Sequence, residues 1–266
     1  VWENDYEQLW ICGRFCLDLK SFNVNDFTKD SFLGGGIKIW QPKKGYRAGI
    51  DPILLAASVN ASGGQKVLDL GCGVGTASFA IGYRVKNVEL YGIEIQKAFA
   101  DLANLNSEEN GIELKLECSN ISNLSSNITN KSFDHVIANP PYFDRKKSVR
   151  SINLAKEKSF GDTCPISEWL KVAAKRAKPR GFVHFIVRPD RLPEMFSNMP
   201  NSLGSLVITP ILSRKNENAK LTILHAKKNG RAGFIISSPI ILHPLKSDSR
   251  EKYFLKLIRY LGMAKA

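Results

Sequence analysis

At 266 residues with 43% hydrophobic content, the chain is long enough for one large domain with a substantial core, and none of its apolar runs approaches the roughly 20 residues that cross a bilayer. The opening stretch from Val1, with Glu3, Asp5 and Glu7, does not read as a signal peptide, and five cysteines without a repeated C-x-x-C pair or neighbouring histidines give neither a disulfide framework nor a metal site, which suits a reducing cytoplasm. A formal net charge of +13 biases the surface towards polyanions, although a basic surface alone names no partner.

Residues 1–29 read as an extension, with Trp2, Tyr6, Leu9, Trp10 and Ile11 spaced for a short amphipathic helix and Asn23, Asn25 and Asp26 as loop. Residues 30–266 read as a single domain. Two apolar runs around glycines, Phe32 to Trp40, predict a hairpin, and Gln41 to Ile50 a loop carrying Tyr46 and Arg47. Asp51 followed by Pro52 supplies a cap and a first-turn proline for a helix over Ile53 to Val59, which Gly63 and Gly64 end.

From Lys66 the pattern becomes strand, glycine loop, helix, strand. Val67-Leu68-Asp69-Leu70 runs into Gly71-Cys72-Gly73-Val74-Gly75, and Thr76 to Tyr83 forms the next helix; glycines there let backbone approach a ligand at a helix start. A dinucleotide fingerprint requires glycine where Thr76 stands, so Asp-x-Gly-x-Gly-x-Gly argues against a nicotinamide enzyme. The strand Val88 to Ile93 ends in Glu94, about 20 residues past the loop, where a carboxylate can hold ribose hydroxyls; an ordinary surface charge is the alternative. A helix over Gln96 to Asn106, a strand over Leu114 to Cys118 ending at Ser119-Asn120, and a polar loop over Ser122 to Asn130 follow.

Val136-Ile137-Ala138-Asn139-Pro140-Pro141-Tyr142 then reads as a buried strand stopped by two prolines, which forbid both helix and further ladder pairing. The turn leaves the Asn139 amide and the Asn139 and Pro140 carbonyls as hydrogen-bond acceptors at the carboxyl end of a strand, where open α/β sheets bind ligands. Asn-Pro and Pro-Pro are also ordinary loop dipeptides. Asn-Pro-Pro-Tyr resembles the catalytic motif of S-adenosylmethionine-dependent methyltransferases acting on planar nitrogens. The resemblance implies that Asn139 and Pro140 accept both hydrogens of an amino group whose lone pair is delocalised, aiming it at the methyl donor, while Tyr142 stacks on a base lifted from its helix.

Beyond the motif, Arg145, Lys146, Lys147, Arg150, Lys156 and Lys158 read either as a basic flap or as a solvated loop. Ser167 caps a predicted helix to Lys178, Pro179-Arg180-Gly181 ends it, and Phe182 to Val187 is a strand in which His184 is a packed core residue rather than a base. A short helix near Leu192 to Met199, a strand pair over Leu206 to Leu212 and Leu221 to Ala226, an apolar run Phe234 to Leu242 and a closing helix marked by Tyr253, Phe254, Leu257, Ile258 and Leu261 complete the order.

That order is similar to a Rossmann-like class I methyltransferase: α/β, with a mostly parallel seven-stranded sheet and an antiparallel terminal hairpin. The stretch from Gln41 to Ala57, most discriminatingly its Gly45-Tyr46-Arg47-x-Gly49-x-Asp51 segment, and the tail from Gly230 to His243 resemble the tRNA1(Val) (adenine(37)-N6)-methyltransferase family. The resemblance, from about Asp30 onward, implies S-adenosylmethionine as cofactor. It implies a pocket of Asp69, Gly71, Gly73, Glu94, Asn120 and Asn139, lined or closed by Tyr46, Arg47 and Asp51. Asn120 stands where aspartate is common in such enzymes, and can accept through its amide oxygen. The implied partner is tRNA near the anticodon loop, held by Tyr142, Arg145, Lys146 and Lys147, with a monomer favoured. An rRNA guanine, a DNA adenine or a release-factor glutamine remain alternative acceptors, and an inactive RNA-binding protein on the same fold is the reading from another class.

Overall fold

The structure is a computed structural model and describes residues 24–141 and 164–243. The predicted helix around Trp2 to Ile11, Tyr142 with the basic stretch after it, and the predicted closing helix over Tyr253 to Leu261 lie outside the described residues.

Strands β1 (Phe27–Phe32) and β2 (Ile37–Pro42) form an antiparallel hairpin, with Lys29 opposite Trp40. Its turn passes through left-handed backbone at Gly34 (φ 66°) and Gly35 (φ 89°), which glycine takes without a Cβ clash. Next come α1 (Asp51–Ser58), β3 (Lys66–Leu70), α2 (Thr76–Arg84), β4 (Glu89–Glu94), α3 (Lys97–Asn110) and β5 (Leu114–Cys118). A single turn, α4 (Ser126–Thr129), leads to β6 (Phe133–Ala138), and after it stand α5 (Ile166–Arg176), β7 (Ala177–Val187) and α6 (Leu192–Ser197). The last described elements are β8 (Leu203–Leu212), β9 (Leu221–Lys228), β10 (Ile235–Ile236) and β11 (Ile240–Ile241).

One sheet runs in the order β10-β8-β9-β7-β6-β3-β4-β5, with β11 also on β8. β3 to β7 pair in parallel, and β9 inserts antiparallel between β7 and β8. The seven long strands are those expected; the two-residue β10 and β11 add to the far edge. Because side chains alternate across a strand, Val67 and Ile137 pack beneath α1, α2 and α3, while Leu68, Leu70, Val136 and Ala138 face α4, α5 and α6. Both faces are covered over β3, β4 and β6, which explains why these strands read as largely apolar runs, whereas the edge strand β5 alternates.

Several boundaries differ from expectation for identifiable reasons. Asp51 is the first helical residue of α1 rather than its cap, Ile50 taking that place. α3 runs four residues past Asn106 because Asn106 and Asn110 dock on β2, and it stops at Gly111 (φ 60°). Ser122 to Asn130 contains a helical turn started by Ser125, whose hydroxyl accepts from the Asn127 N–H. α5 begins at Ile166 behind Pro165 instead of at Ser167, and ends at Arg176. Pro179-Arg180-Gly181 does not end that helix. It lies in β7 at the register shift opposite Phe133 and His135, with Arg180 at φ 67°, so the proline interrupts the ladder at a bulge.

Candidate active site

β3 pairs with β4 on one side and β6 on the other, so Leu70, Ile93 and Ala138 finish side by side and the turns after them converge. The order of connections reverses between β3 and β6, the position where open α/β sheets form a ligand crevice.

The turn after β3 is the glycine loop. Gly71 (φ 64°), Gly73 (φ 57°) and Gly75 (φ 85°) all take left-handed backbone, but for different reasons. A Cβ on Gly71 would lie 2.5 Å from the Trp169 ring, and one on Gly75 would lie 2.3 Å from Phe79. Above Gly73 there is open space, so this glycine leaves a backbone surface that a ligand can approach. Glu94, buried at the end of β4, clamps the loop: one carboxylate oxygen accepts from Gly73 N–H (2.9 Å), the other from Gln96 N–H (2.8 Å). Burial raises its pKa while these N–H groups oppose the shift. Asp69 is buried and accepts from Ser78 Oγ at 2.8 Å; burial pushes its carboxyl up to about 7, against the pull of Ser78, with the nearby Glu94 adding to the rise.

Asn139, at the end of β6, donates through Nδ2 to the Tyr46 hydroxyl at 3.3 Å. Pro140 behind it is buried and Pro141 is exposed. Tyr46 is 47% exposed as a residue, yet its hydroxyl is desolvated beside Asp51 and Asp69, which with Glu94 push its pKa up to about 12. The loop bearing it is anchored from behind: Arg47 binds the Asp30 carboxylate, the Thr28 hydroxyl (2.9 Å) and the Pro42 carbonyl (2.8 Å), and Gln41 accepts from Ala48 N–H (2.8 Å) while donating to Asp30. Tyr46, Asp51, Asp69, Gly73, Glu94 and Asn139 therefore gather at one end of the sheet. Arg47 fastens the loop to the hairpin. Asn120 Oδ1 already accepts from Ser122 N–H at 2.9 Å, so a ligand amino group would be its second donor. Tyr142, Arg145, Lys146 and Lys147 lie outside the described residues.

Two contributors carry no local motif. Trp169 of α5 donates Nε1–H to the Cys164 carbonyl (3.3 Å) and fills the space against Gly71. Asn106 of α3, fully buried, accepts from Trp40 N–H (2.7 Å) and donates to the Val74 and Trp40 carbonyls (both 3.0 Å), tying the glycine loop to the hairpin.

Three carboxylates around an open glycine backbone form a site of negative potential suited to a ligand that carries positive charge. Among the described residues there is no group of three or more His, Cys, Asp or Glu placed to hold a metal ion, and no helix long and apolar enough to cross a membrane. The strand order and this crevice define a class I methyltransferase fold. Residues 49–157 match the methyltransferase small domain family. The tRNA1(Val) (adenine(37)-N6)-methyltransferase of Mannheimia succiniciproducens is 30% identical over 168 residues, 62% of this chain and 68% of its own. The enzyme of that name from Actinobacillus succinogenes is 27% identical over 144 residues, 53% of this chain. The chain spans only 60% of the length of that relative. Among solved structures, Atu636 of Agrobacterium tumefaciens, described as a predicted O-methyltransferase, superposes with a TM-score of 0.63 at 23% identity, covering 79% of this chain and 95% of that one. The chain belongs to the family of the tRNA1(Val) (adenine(37)-N6)-methyltransferases.

Proposed function

We propose that the protein transfers the methyl group of S-adenosylmethionine to the exocyclic N6 of an adenine in tRNA. The observation that carries the reading is the meeting of Asn139 with Tyr46 beside the Asp69, Gly73 and Glu94 crevice. S-adenosylmethionine supplies, when bound, an electrophilic methyl on a cationic sulfur. The residues present fit such a group: Gly73 offers uncovered backbone, Glu94 suits ribose hydroxyls, and Asp69 and Asp51 add negative charge towards the cation.

Asn139 takes the central part in this reading. Its Nδ2 is turned to Tyr46, so Oδ1 accepts one N–H of the target amine, and the Pro140 carbonyl accepts the other. Holding both hydrogens orients the nitrogen lone pair and favours the charge that develops on it. Tyr46, its hydroxyl kept protonated, sets the Asn139 amide, and Tyr142 supplies a ring for the base to stack on. An unpaired loop adenine is preferred because extruding a base from a duplex costs a few kcal/mol.

The test offers the protein labelled S-adenosylmethionine with tRNA, ribosomal RNA, DNA and a release factor in separate reactions, and locates the product by mass spectrometry. N6-methyladenine in tRNA supports the reading; label on a glutamine or guanine alone refutes the acceptor, and no transfer at all refutes the activity. Neutralising Arg145, Lys146 and Lys147 together should weaken tRNA binding and flatten its salt dependence, since each lost phosphate contact lowers the slope by about 1.

A further inference from the structure

Two strands to the side of the crevice, between the ends of α1 and α2 and strands β8 and β9, a cavity of about 220 Å³ is lined by Ser58, Asn60, Arg84, Thr209 and His225 together with apolar side chains. Its place follows from topology. α2 leaves the carboxyl end of β3 and runs back along the sheet, so its last residue, Arg84, comes down at the amino-terminal edge of the strands, next to the end of α1.

Arg84 Nη2 donates to the carbonyls of Ala56 (3.1 Å) and Val59 (2.5 Å), which fixes the guanidinium. Its Nε–H is buried and has no acceptor among the described residues, and burial alone lowers its pKa, no carboxylate contributing. Across the cavity, Thr209 Oγ1 lies 2.9 Å from Ser237 Oγ, whose one proton also has the Ile208 and Ser238 carbonyls in reach (both 3.3 Å); with Ser237 donating to Thr209, the shortest of the three contacts, the Thr209 proton is left for a ligand. The third wall is the end of a chain of three histidines that the methyl-transfer site does not use. Gln65 Oε1 accepts from Ser62 N–H (2.8 Å), which assigns the oxygen, so His135 Nε2–H donates to it (3.3 Å). His135 Nδ1 then accepts from His184 Nε2–H (3.0 Å), and His184 Nδ1 accepts from His225 Nδ1–H (2.7 Å). Burial keeps all three rings neutral, so each has one proton to give and the polarity runs one way. The nitrogen left to His225 is a bare Nε2, an acceptor.

We propose that this cavity binds the free hydrogen-phosphate anion, whose oxygens accept from Arg84 and Thr209 and whose P–OH donates to His225 Nε2. A cationic donor, a neutral donor and an acceptor around one small cavity match an oxyanion that still carries a proton. Sulfate, phosphodiesters and, with a second pKa of about 6, phosphomonoesters carry none at pH 7.5 and would leave the histidine nitrogen facing a lone pair, a mismatch that lowers affinity by about tenfold or more.

The experiment is calorimetric titration of the whole protein in phosphate-free buffer at pH 7.5 with inorganic phosphate, methyl phosphate and sulfate, repeated on Thr209→Val and Arg84→Lys. Expected are binding of inorganic phosphate, at least about tenfold discrimination against both sulfate and methyl phosphate, and about tenfold weaker binding in Thr209→Val. Thr209→Val keeps the side-chain volume, and unchanged S-adenosylmethionine binding and circular dichroism confirm its fold. Sulfate or methyl phosphate binding as well as inorganic phosphate, no binding of inorganic phosphate, or unaltered affinity in both variants overturns the proposal. These titrations do not pass through methyl transfer, so their failure leaves that reading intact.

Discussion

Asp69 makes the proposed cofactor site sensitive to pH in a direction the structure fixes. Its carboxyl is pushed up from 3.8 to about 7 by burial, so near neutrality about half the molecules carry it protonated. A ligand with a cationic sulfur binds the ionised form better, and binding pulls the proton off. S-adenosylmethionine affinity should therefore rise with pH. Between pH 6 and pH 8 the ionised fraction grows about tenfold, which corresponds to about 1.4 kcal/mol of binding free energy. S-adenosylhomocysteine, with a neutral sulfur, should show a shallower dependence. Asp69→Asn keeps the volume and an oxygen for Ser78 but cannot titrate, and should flatten the profile to within about twofold. The assay is calorimetry at pH 6, 7 and 8, in buffers of differing ionisation enthalpy so that the released proton is counted. A wild-type affinity that is flat over this range, or a slope that survives Asp69→Asn, would refute the reasoning.

Asn139→Ala should lower the rate of methyl transfer by the loss of about 2.7–4 kcal/mol of transition-state stabilisation, while calorimetry shows cofactor affinity within about threefold of wild type; near-normal turnover would sink the mechanism. The glycines should separate: Gly71→Ala drives a methyl into Trp169 at positive φ and should cost about 2–4 kcal/mol in urea unfolding, whereas Gly73→Ala meets nothing and should cost only about 1–2 kcal/mol while weakening S-adenosylmethionine binding. Acid should destabilise the fold through the histidines. His135 and His225 fall from 6.5 to about 4 in the folded state, so the unfolded chain takes up their protons first, and their stabilisation, complete above about pH 6.5, is lost towards pH 4. Asp69, raised, works in the opposite direction over the same range, leaving a net loss of about 1 kcal/mol between pH 6.5 and 5 from these three groups, to be read from urea midpoints; a stability that rises on acidification would contradict the buried neutral chain.

What could be read from the sequence follows a physical division. Val67 to Leu70 and Phe133 to Ala138 were legible because both faces of the sheet are covered there, which writes itself into largely apolar residues, and Leu114 to Cys118 because an edge strand alternates apolar with charged side chains. Gly71-x-Gly-x-Gly, Glu94 and Asn139-Pro140-Pro141 were legible because backbone geometry at strand ends is specified by a few adjacent residues. The groups that hold this backbone in place are recruited from elsewhere in the chain. Trp169 lies on the amphipathic face of α5 and looks like any core aromatic; only the fold brings it to Gly71. Arg47, which the resemblance implies lines or closes the pocket beside Tyr46, has its guanidinium on Asp30 of the hairpin, a partner that no local pattern in the sequence announces. Of the three histidines only His184 drew notice, since a hydrogen-bonded chain across β6, β7 and β9 depends on registers that no single strand encodes.

Asn106 marks the boundary of this division. Ala100, Leu102 and Ala103 define the buried stripe of α3, and one turn on, where the period demands another apolar side chain, the sequence has asparagine. A buried amide is costly unless bonded, so such a break in the stripe points to a partner across the interface. The structure supplies three, on Trp40 and Val74. Asn106 thus couples the hairpin that carries the Tyr46 loop to the glycine loop opposite it. Removing the amide would leave the Trp40 N–H without its side-chain acceptor and loosen the crevice from both sides at once, at about 1–3 kcal/mol for an unsatisfied buried group. Polar interruptions of an otherwise apolar period are therefore where a sequence discloses its tertiary contacts, and in this chain the clearest of them stands directly behind the site.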